Sequence, residues 1–213
     1  MHLLDHQRLE RIGISEAILC EGKSIKQINN ICKELDKNIA TLLTRINPDM
    51  FIKLNKNLKK YLFYDKDSRT AVYGKFPKIK KEVKIALVSA GTSDLPFLLE
   101  AKLTLKCAGE DSVIFSDLGV AGLWRMQKNL KKILNYKIVI AAAGMDGALV
   151  SVLGGLISMP LIAIPTSTGY GVSNSGKTAL HSMLASCSPG VVVVNIDNGY
   201  GAACAAIRII NGK

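Results

Sequence analysis

The sequence predicts an α/β fold: a flavodoxin-like three-layer sandwich around a five-stranded parallel sheet of strand order 2-1-3-4-5, preceded by a small, mainly helical region. In the second part of the chain, short apolar runs alternate with helical patterns. That part also holds 15 of the 18 glycines. A lysine-rich stretch with Pro77 lies at residues 75–82 and reads as a linker. We therefore divide the chain into an N-terminal region with its linker, residues 1–82, and an α/β domain, residues 83–213.

Composition limits the classes of protein that remain. The chain has 213 residues, 48% of them hydrophobic, which excludes a wholly disordered protein. Its five cysteines are widely spaced and include no C-x-x-C pair, so a disulfide framework or a structural zinc site is not expected. We expect a reduced, cytoplasmic setting. No uncharged apolar run reaches about 18 residues, so no membrane association is expected.

The positive charge is concentrated at the N-terminus. Residues 1–82 carry 17 basic and 10 acidic side chains, net +7, and residues 83–213 carry 11 and 7, net +4, giving +11 in total. Ser24 begins a helical pattern that runs through Leu35. The spacing of Leu54, Leu58 and Leu62 predicts a basic amphipathic helix, and the rest is predicted to be irregular. The lysines fit either a solvated helix face or phosphate binding.

The α/β domain is predicted element by element from its apolar runs. The five predicted strands are residues 83–89, 112–117, 137–142, 161–164 and 191–195. The predicted helices cover residues 95–108 and 122–134, a segment opening at 144–147, a segment ending near 186, and residues 199–210. In such a sheet the ligand lies beyond the carboxyl ends of the strands. The loops after strands one, three and four should therefore carry the functional residues.

Two of these loops hold candidate polar groups. The first places Gly91, Thr92, Ser93 and Asp94 at a helix start, where free N–H groups favour a phosphate and Asp94 could hold ribose hydroxyls. Ordinary N-capping explains the same residues equally well. Asp146 also begins a helix and is either a cap or an acid–base group.

The segment Gly171–Thr178 matches the phosphate-loop pattern G-x-x-x-x-G-K-[ST]. Six residues separate its first glycine from Ile164, whereas a true phosphate loop begins directly at the strand end, so we expect no phosphate loop. Cys187 lies on a polar turn and is either a plain surface cysteine or a reactive thiol that needs nearby positive charge. The other four cysteines lie in apolar or helical patterns and are predicted to be core residues.

The ordered series of motifs resembles one family. VSAGTSDLP, SDLGVAGL, AAAGMDGALVSVLGGL, IAIPTSTGYG, MLASCSPG and VVNIDNGYGAA are similar to the pyridinium-3,5-biscarboxylic acid mononucleotide synthases, which open nickel-pincer nucleotide biosynthesis. LDHQRLERIG and CEGKS resemble the leading segment of that family. The α/β domain is more distantly similar to N5-carboxyaminoimidazole ribonucleotide mutase. The match is weakest over residues 46–82.

The resemblance implies a reaction and a set of residues. The family carboxylates nicotinic acid adenine dinucleotide at pyridinium C5 with CO2 or bicarbonate and releases AMP. Cys187 matches the nucleophile, and Asp146 matches the base, where the family usually carries Glu. Mg²⁺ is the implied metal ion, with no ligand set identified, and the implied assembly is a homo-oligomer, by resemblance an octamer. The substrate-binding positions implied are Gly91, Thr92, Ser93, Asp94, Asp117, Gly144, Met145, Thr166, Ser167, Gly169, Tyr170 and Gly171.

Two alternatives remain open from the sequence. A purine-pathway mutase would need a histidine after the second strand, and residues 118–123 contain none. A non-enzymatic binder of nucleotides or RNA would use the lysine-rich N-terminal region and would show strong salt dependence. The dinucleotide is itself an anion, so the leading interpretation needs no nucleic acid to explain the charge.

Overall fold

Two β-sheets with helices between and around them form the protein, as shown by a computed structural model that describes residues 3–5 and 7–212. The N-terminal part contains α1 (Arg8–Ile12), β1 (Ala17–Leu19), α2 (Ile25–Glu34), β2 (Thr41–Thr44), α3 (Pro48–Ile52), α4 (Lys56–Lys59), β3 (Leu62–Asp65) and β4 (Thr70–Tyr73). Its four strands form sheet A in the order β1-β2-β4-β3, with β1 parallel to β2 and the other pairs antiparallel.

The N-terminal prediction was correct for one helix and incomplete for the rest. Helix α2 begins at Ser24, whose hydroxyl and Gln27 form a capping box. The predicted basic helix through Leu62 is wrong. Asn55 begins the short helix α4, and Leu62 already belongs to strand β3. The region predicted to be irregular therefore contains three strands: the buried strand β2, and β3 and β4. Together with β1 these strands form sheet A.

The C-terminal part contains β5 (Ile85–Ser89), α5 (Leu95–Cys107), β6 (Ser112–Phe115), α6 (Leu123–Ile133), β7 (Ile138–Ala143), α7 (Ala148–Gly154), β8 (Leu161–Pro165), α8 (Lys177–Leu184), β9 (Val191–Val193) and α9 (Gly199–Asn211). The strands form sheet B, parallel throughout, in the order β6-β5-β7-β8-β9. Counted within the sheet, this order is 2-1-3-4-5. The predicted five-stranded parallel sheet is confirmed, and its central strands are buried on both faces.

Helix α5 joins the two sheets. On one side Leu98, Ala101 and Leu105 pack with the core of sheet B. On the other side Leu103 packs with Leu42 and Val72 of sheet A. Because apolar residues occur all round this helix, it is buried from both sides rather than on one stripe.

Helix α9 packs closely against α5. Its Ala202, Ala203 and Ala206 are buried in the core of sheet B. At Gly199 a Cβ atom would lie inside contact distance of the Phe97 carbonyl oxygen, so glycine is needed for this approach. Packing within one chain therefore accounts for the small residues that begin this helix.

Candidate functional site

A cavity of about 330 Å³ opens at the carboxyl edge of sheet B. The loops after β5, β6 and β7 line it, and the switch point of the sheet lies between β5 and β7. This is the position expected for a ligand in a doubly wound sheet. Six of the predicted site residues line the cavity: Gly91, Ser93, Asp94, Gly144, Met145 and Asp146.

Asp94 is the buried polar centre of this edge. Its carboxylate accepts hydrogen bonds from Thr166 Oγ1 at 2.6 Å and from the Gly91 N–H at 2.8 Å. Burial raises the pKa of the Asp94 carboxyl, and these hydrogen bonds counteract that rise. Asp94 therefore ties the loop after β5 to the end of β8. Thr92 is exposed beside it.

The loop after β7 approaches the loop after β8 very closely. A Cβ atom at Gly144 would lie 2.8 Å from Thr166 Oγ1 and closer still to the Thr168 carbonyl oxygen. Met145 follows with a φ of 54°, and its N–H donates to the Thr168 carbonyl at 2.9 Å. Only glycine fits at position 144, because the two loops meet there backbone to backbone.

Asp146 projects at the start of α7. Its side chain is exposed, and Oδ1 accepts a hydrogen bond from the Ala148 N–H at 3.2 Å. Gly147 is the N-cap residue of α7, and Asp146, one residue before it, bonds to the first residue of the helix. Asp146 also lines the cavity, so a carboxylate lies at its rim.

Asp117 lies beside the cavity and forms an ion pair with Arg125 of α6. Its φ is 60°, and its N–H donates to Ser89 Oγ at 3.3 Å. Arg125 lines the cavity, and its buried Nε has no hydrogen-bond partner among the described residues. Sequence reasoning did not assign Arg125 a role. The Arg125 side chain is half-buried and its charge is paired with Asp117, so this wall of the cavity carries an ion pair.

The loop after β8 has a buried start and an exposed tip. Thr166 is fully buried, whereas Ser167, Gly169, Tyr170 and Gly171 are exposed. The Ser167 N–H donates to Asp197 Oδ1 at 2.7 Å. At Gly169, with a φ of 144°, a Cβ would lie 2.9 Å from the Ser173 Cβ. Tyr170 is 80% exposed and therefore available to contact a ligand or a second chain.

Cys187 lies at the other edge of sheet B. It follows α8 and precedes β9, so it belongs to a loop at the amino ends of the strands. The neighbouring Ser186 and Ser188 are hydrogen-bonded to Ser151 of α7 at 2.7 Å each. Ser151 lies in the middle of α7, and Asp146 precedes the start of that helix, which has seven residues and a length of roughly 10 Å. Within one chain the two predicted catalytic residues are therefore not brought together.

Backbone strain is concentrated at the carboxyl edge. Within the part of the chain that the structure describes, all non-glycine residues with positive φ lie at this carboxyl edge. Each of them follows a strand of sheet B or faces the edge from sheet A. Such conformations cluster at ligand sites in proteins. The set comprises Arg45, Arg69, Asp117, Met145, Asn174, Ser175 and Asp197.

The remaining candidates behave as the sequence suggested. Gly171–Gly176 forms a 3-10 segment that contains two left-handed residues, and Thr178 Oγ1 donates to the Val172 carbonyl, so no phosphate cradle is formed. Cys20 and Cys32 are buried, and burial raises the pKa of Cys20 to about 12 and of Cys32 to about 11. Cys107 and Cys204 are half-buried against core clusters.

The described residues form neither a metal cluster nor a membrane-spanning helix. Across residues 3–5 and 7–212, no three His, Cys, Asp or Glu side chains come together as a metal site. No helix in those residues has the length and hydropathy needed to cross a bilayer.

Comparison with known proteins assigns both parts of the chain. The sequence model of the LarB/PurE-like N-terminal domain matches residues 1–75, and that of AIR carboxylase matches residues 84–213. The chain is also similar to an uncharacterized protein of Methanocaldococcus jannaschii. The two are 39% identical over 207 residues, which cover 93% of this chain and 80% of the relative.

Proposed function

This chain belongs to the AIR carboxylase family, in the form that carries a LarB/PurE-like N-terminal domain, and from that premise we propose that it carboxylates nicotinic acid adenine dinucleotide. The family places the chain among enzymes of the carboxylase or mutase type. The product of the proposed reaction is pyridinium-3,5-biscarboxylic acid mononucleotide, with AMP released. The observation that carries the proposal is the cavity at the carboxyl edge of sheet B, which has an exposed carboxylate, Asp146, at its rim.

The proposed chemistry uses a thiolate and a carboxylate. The Cys187 thiolate adds to a ring carbon next to the pyridinium nitrogen, and the ring electrons then make C5 nucleophilic. C5 attacks CO2, forming a carbon–carbon bond. The Asp146 carboxylate removes the C5 proton, and the ring regains aromaticity as the carbon–sulfur bond breaks and the thiolate leaves. Water then cleaves the phosphoanhydride and releases AMP.

The other site residues would bind the substrate. Gly91, Thr92, Ser93 and Asp94 lie at a loop that could hold the phosphate and ribose of the mononucleotide half. Thr166–Gly171 and Met145 would line the ring, and Arg125, which lines the cavity, would contact a substrate anion. Because Asp is one methylene shorter than the family's usual Glu, the ring has to lie closer to the start of α7.

Mg²⁺ fits this proposal as an ion held largely by the substrate. Mg²⁺ in proteins is commonly bound by one or two carboxylates together with substrate phosphates. Its chemistry, when bound, would be neutralisation of the diphosphate.

The separation of Asp146 from Cys187 adds a requirement. The thiol must reach a cavity that lies at the opposite edge of the sheet. A second copy of the chain would solve this by inserting its Cys187 turn into the cavity of the first. The exposure of Cys187 supports such a docking, as does the homo-oligomer that the resemblance implies.

One assay tests the function directly. The protein is incubated with nicotinic acid adenine dinucleotide, Mg²⁺ and ¹⁴C-bicarbonate, and AMP and labelled mononucleotide are separated and counted. We expect both products in equal amounts. An Asp146→Asn variant, which keeps the α7 cap acceptor, serves as the control that should lose label incorporation. Failure of the unaltered protein to incorporate label at any pH or Mg²⁺ concentration would contradict the proposal.

The AIR carboxylase match over residues 84–213 favours a mutase as the second candidate. The segment after β6 that faces the cavity is Gly119, Val120 and Ala121, which offers no imidazole. Turnover of N5-carboxyaminoimidazole ribonucleotide in place of the dinucleotide would establish the mutase instead.

A further inference from the structure

A second, small cavity lies where sheet A meets the carboxyl edge of sheet B. It has a volume of about 50 Å³. Its walls come from both parts of the chain: Arg45, Ser68 and Arg69 from the ends of β2 and β4, and Pro96, Phe97, Glu100 and Asp197 from the C-terminal part. Asp94, at the first cavity, and Pro96, at the second, are two residues apart in sequence, so one turn of chain separates the two cavities.

The two arginines are held at this cavity by the backbone. Arg45 and Arg69 have φ values of 55° and 52°, a conformation that is unfavourable for any residue with a Cβ atom. The Ile46 N–H donates to the Arg69 carbonyl at 2.8 Å, so the residue that follows Arg45 is hydrogen-bonded to Arg69. Glycine would adopt this backbone without cost, so a requirement for the guanidinium groups explains why arginine occupies both positions.

A buried carboxyl sets the position of Arg45. Thr44 Oγ1 donates to Glu100 of α5, and Glu100 Oε2 accepts from the Tyr200 N–H at 3.2 Å. Thr44 is therefore attached to both α5 and the start of α9, and the next residue, Arg45, is directed to the cavity. The position of this arginine is thereby fixed relative to sheet B, although it belongs to sheet A.

The charges at this cavity leave binding capacity for an anion. Arg45 forms only an exposed ion pair with Glu21 at 3.1 Å, a type of contact that contributes little. Arg69 forms no ion pair with any residue in the described part of the chain. Asp197 Oδ1 accepts a hydrogen bond from the Ser167 N–H. Burial raises the pKa of Glu100, and the hydrogen bond from Thr44 and the nearby charge of Arg45 partly counteract that rise. The charge of Arg69 is therefore not compensated by a described ion pair, and that of Arg45 is compensated only by its exposed pair with Glu21.

From this arrangement we infer that the N-terminal region binds the phosphate groups of the substrate, with Arg45 and Arg69 as the phosphate ligands. A guanidinium donates two parallel hydrogen bonds to a phosphate, and a pair of them can hold a diphosphate. The inference rests on the proposed function, since it places the diphosphate beside the cavity that would hold the ring. It makes the N-terminal region part of the binding site rather than an appendage.

The test measures binding apart from turnover. Inorganic pyrophosphate and, separately, AMP are titrated by calorimetry into the full chain, its Arg45→Ala and Arg69→Ala variants, and a Lys66→Ala control that loses the same charge outside the cavity. We expect each arginine variant to weaken pyrophosphate binding at least tenfold and the control to change it less than twofold. An unaltered protein that binds neither probe, or arginine variants that bind as tightly as the control, would overturn the inference.

An Arg69→Gly variant separates binding from folding. Because glycine accepts the left-handed backbone, this variant should have an unchanged or higher Tm while losing pyrophosphate binding. A lower Tm with retained binding would mean that Arg69 is structural and would overturn the inference. If pyrophosphate binding depends on the arginines but no label is incorporated from bicarbonate, the anion site stands and the proposed function fails. If turnover proceeds with an unchanged KM in both alanine variants, the proposed function stands and the anion site fails.

Discussion

Thr166 Oγ1 donates a 2.6 Å hydrogen bond to the buried carboxylate of Asp94, joining the end of β8 to the loop after β5. We expect Thr166→Val, which keeps the shape and removes the donor, to destabilise the protein by about 1–3 kcal/mol, because a buried acceptor loses its partner. Urea unfolding measures the change. Thr178→Val is the matched control: its hydroxyl donates to the Val172 carbonyl in a more exposed position and should contribute less. Equal losses in the two variants would contradict the central role of Asp94.

Glu100 gives the stability of the protein a pH dependence. Burial raises the pKa of Glu100 above its ordinary value of 4.5, and the hydrogen bond from Thr44 only partly counteracts this. Between 4.5 and the folded-state pKa the folded protein binds more protons than the unfolded chain, so stability should fall as pH rises through this window. Glu100→Gln removes the titration, and we expect the corresponding slope to disappear. Unfolding free energies at intervals from pH 4 to 8 measure it, and a slope unchanged in the variant would refute this assignment.

The five cysteines should differ sharply in reactivity. Cys187 is the exposed one, whereas burial raises the pKa of Cys20 and Cys107 to about 12. Since the thiolate is the reacting form, iodoacetamide at pH 8 should label Cys187 first in the folded protein. Mass spectrometry of tryptic peptides locates the label. Unfolding in urea should make all five react, and rapid labelling of Cys20 in the native protein would show that the core is open.

Mixed oligomers test whether a site is shared between chains. Cys187→Ala and Asp146→Asn should each abolish carboxylation, and both residues are exposed, so neither change should alter stability by more than about 0.5 kcal/mol. If Cys187 of one chain serves the Asp146 cavity of another, co-expressed variants should recover up to about a quarter of the activity, because some interfaces then pair two intact residues. Complete inactivity of the mixture, with mixed assembly verified by differential tags, would place both residues in one chain.

Gly144 should tolerate no side chain. An alanine there would bring a Cβ atom to 2.8 Å from Thr166 Oγ1 and still closer to a carbonyl oxygen, and forcing atoms into a packed site costs about 1–3 kcal/mol or more. Gly155, at the end of α7, is the matched control, because a Cβ there would make ordinary contacts at 3.7 Å. We expect Gly144→Ala to lower the Tm and Gly155→Ala to leave it unchanged. Similar Tm values for both variants would be evidence against the close approach of the two loops.

Sheet B could be predicted from the sequence because its strands are short, continuous apolar runs separated by glycine-rich turns. Ile85–Ser89 and Ile138–Ala143 lie within two residues of their predicted bounds. Sheet A could not be predicted from the sequence. The spacing of Leu54, Leu58 and Leu62 indicates one helix, whereas local capping limits the helix to α4 and Leu62 belongs to β3. Asn55 caps the separate short helix α4, and the pairing of β2 with β4, which places Thr41 beside Tyr73, joins strands far apart in sequence.

The part of the candidate site that lies in loops after parallel strands could be predicted from the sequence. Parallel strands bring the loops carrying Asp94 and Asp146 to one edge, and both line the cavity. The same rule places a helix-to-strand turn at the opposite edge, so the separation of Cys187 from Asp146 follows from the predicted topology itself. No comparable rule predicts that Arg45 and Arg69 lie at the second cavity. Their positions depend on how sheet A packs against α5, which no local pattern expresses.

The burial of α5 from both sides has a consequence for how the molecule can be divided. A fragment that begins near residue 83 would keep all of sheet B but would leave Leu103 and Cys107 without the cover of Leu42 and Val72. Such a fragment would present an uncovered apolar helix face to water and to other copies of itself. We expect it to aggregate on expression, whereas the full chain keeps that face covered.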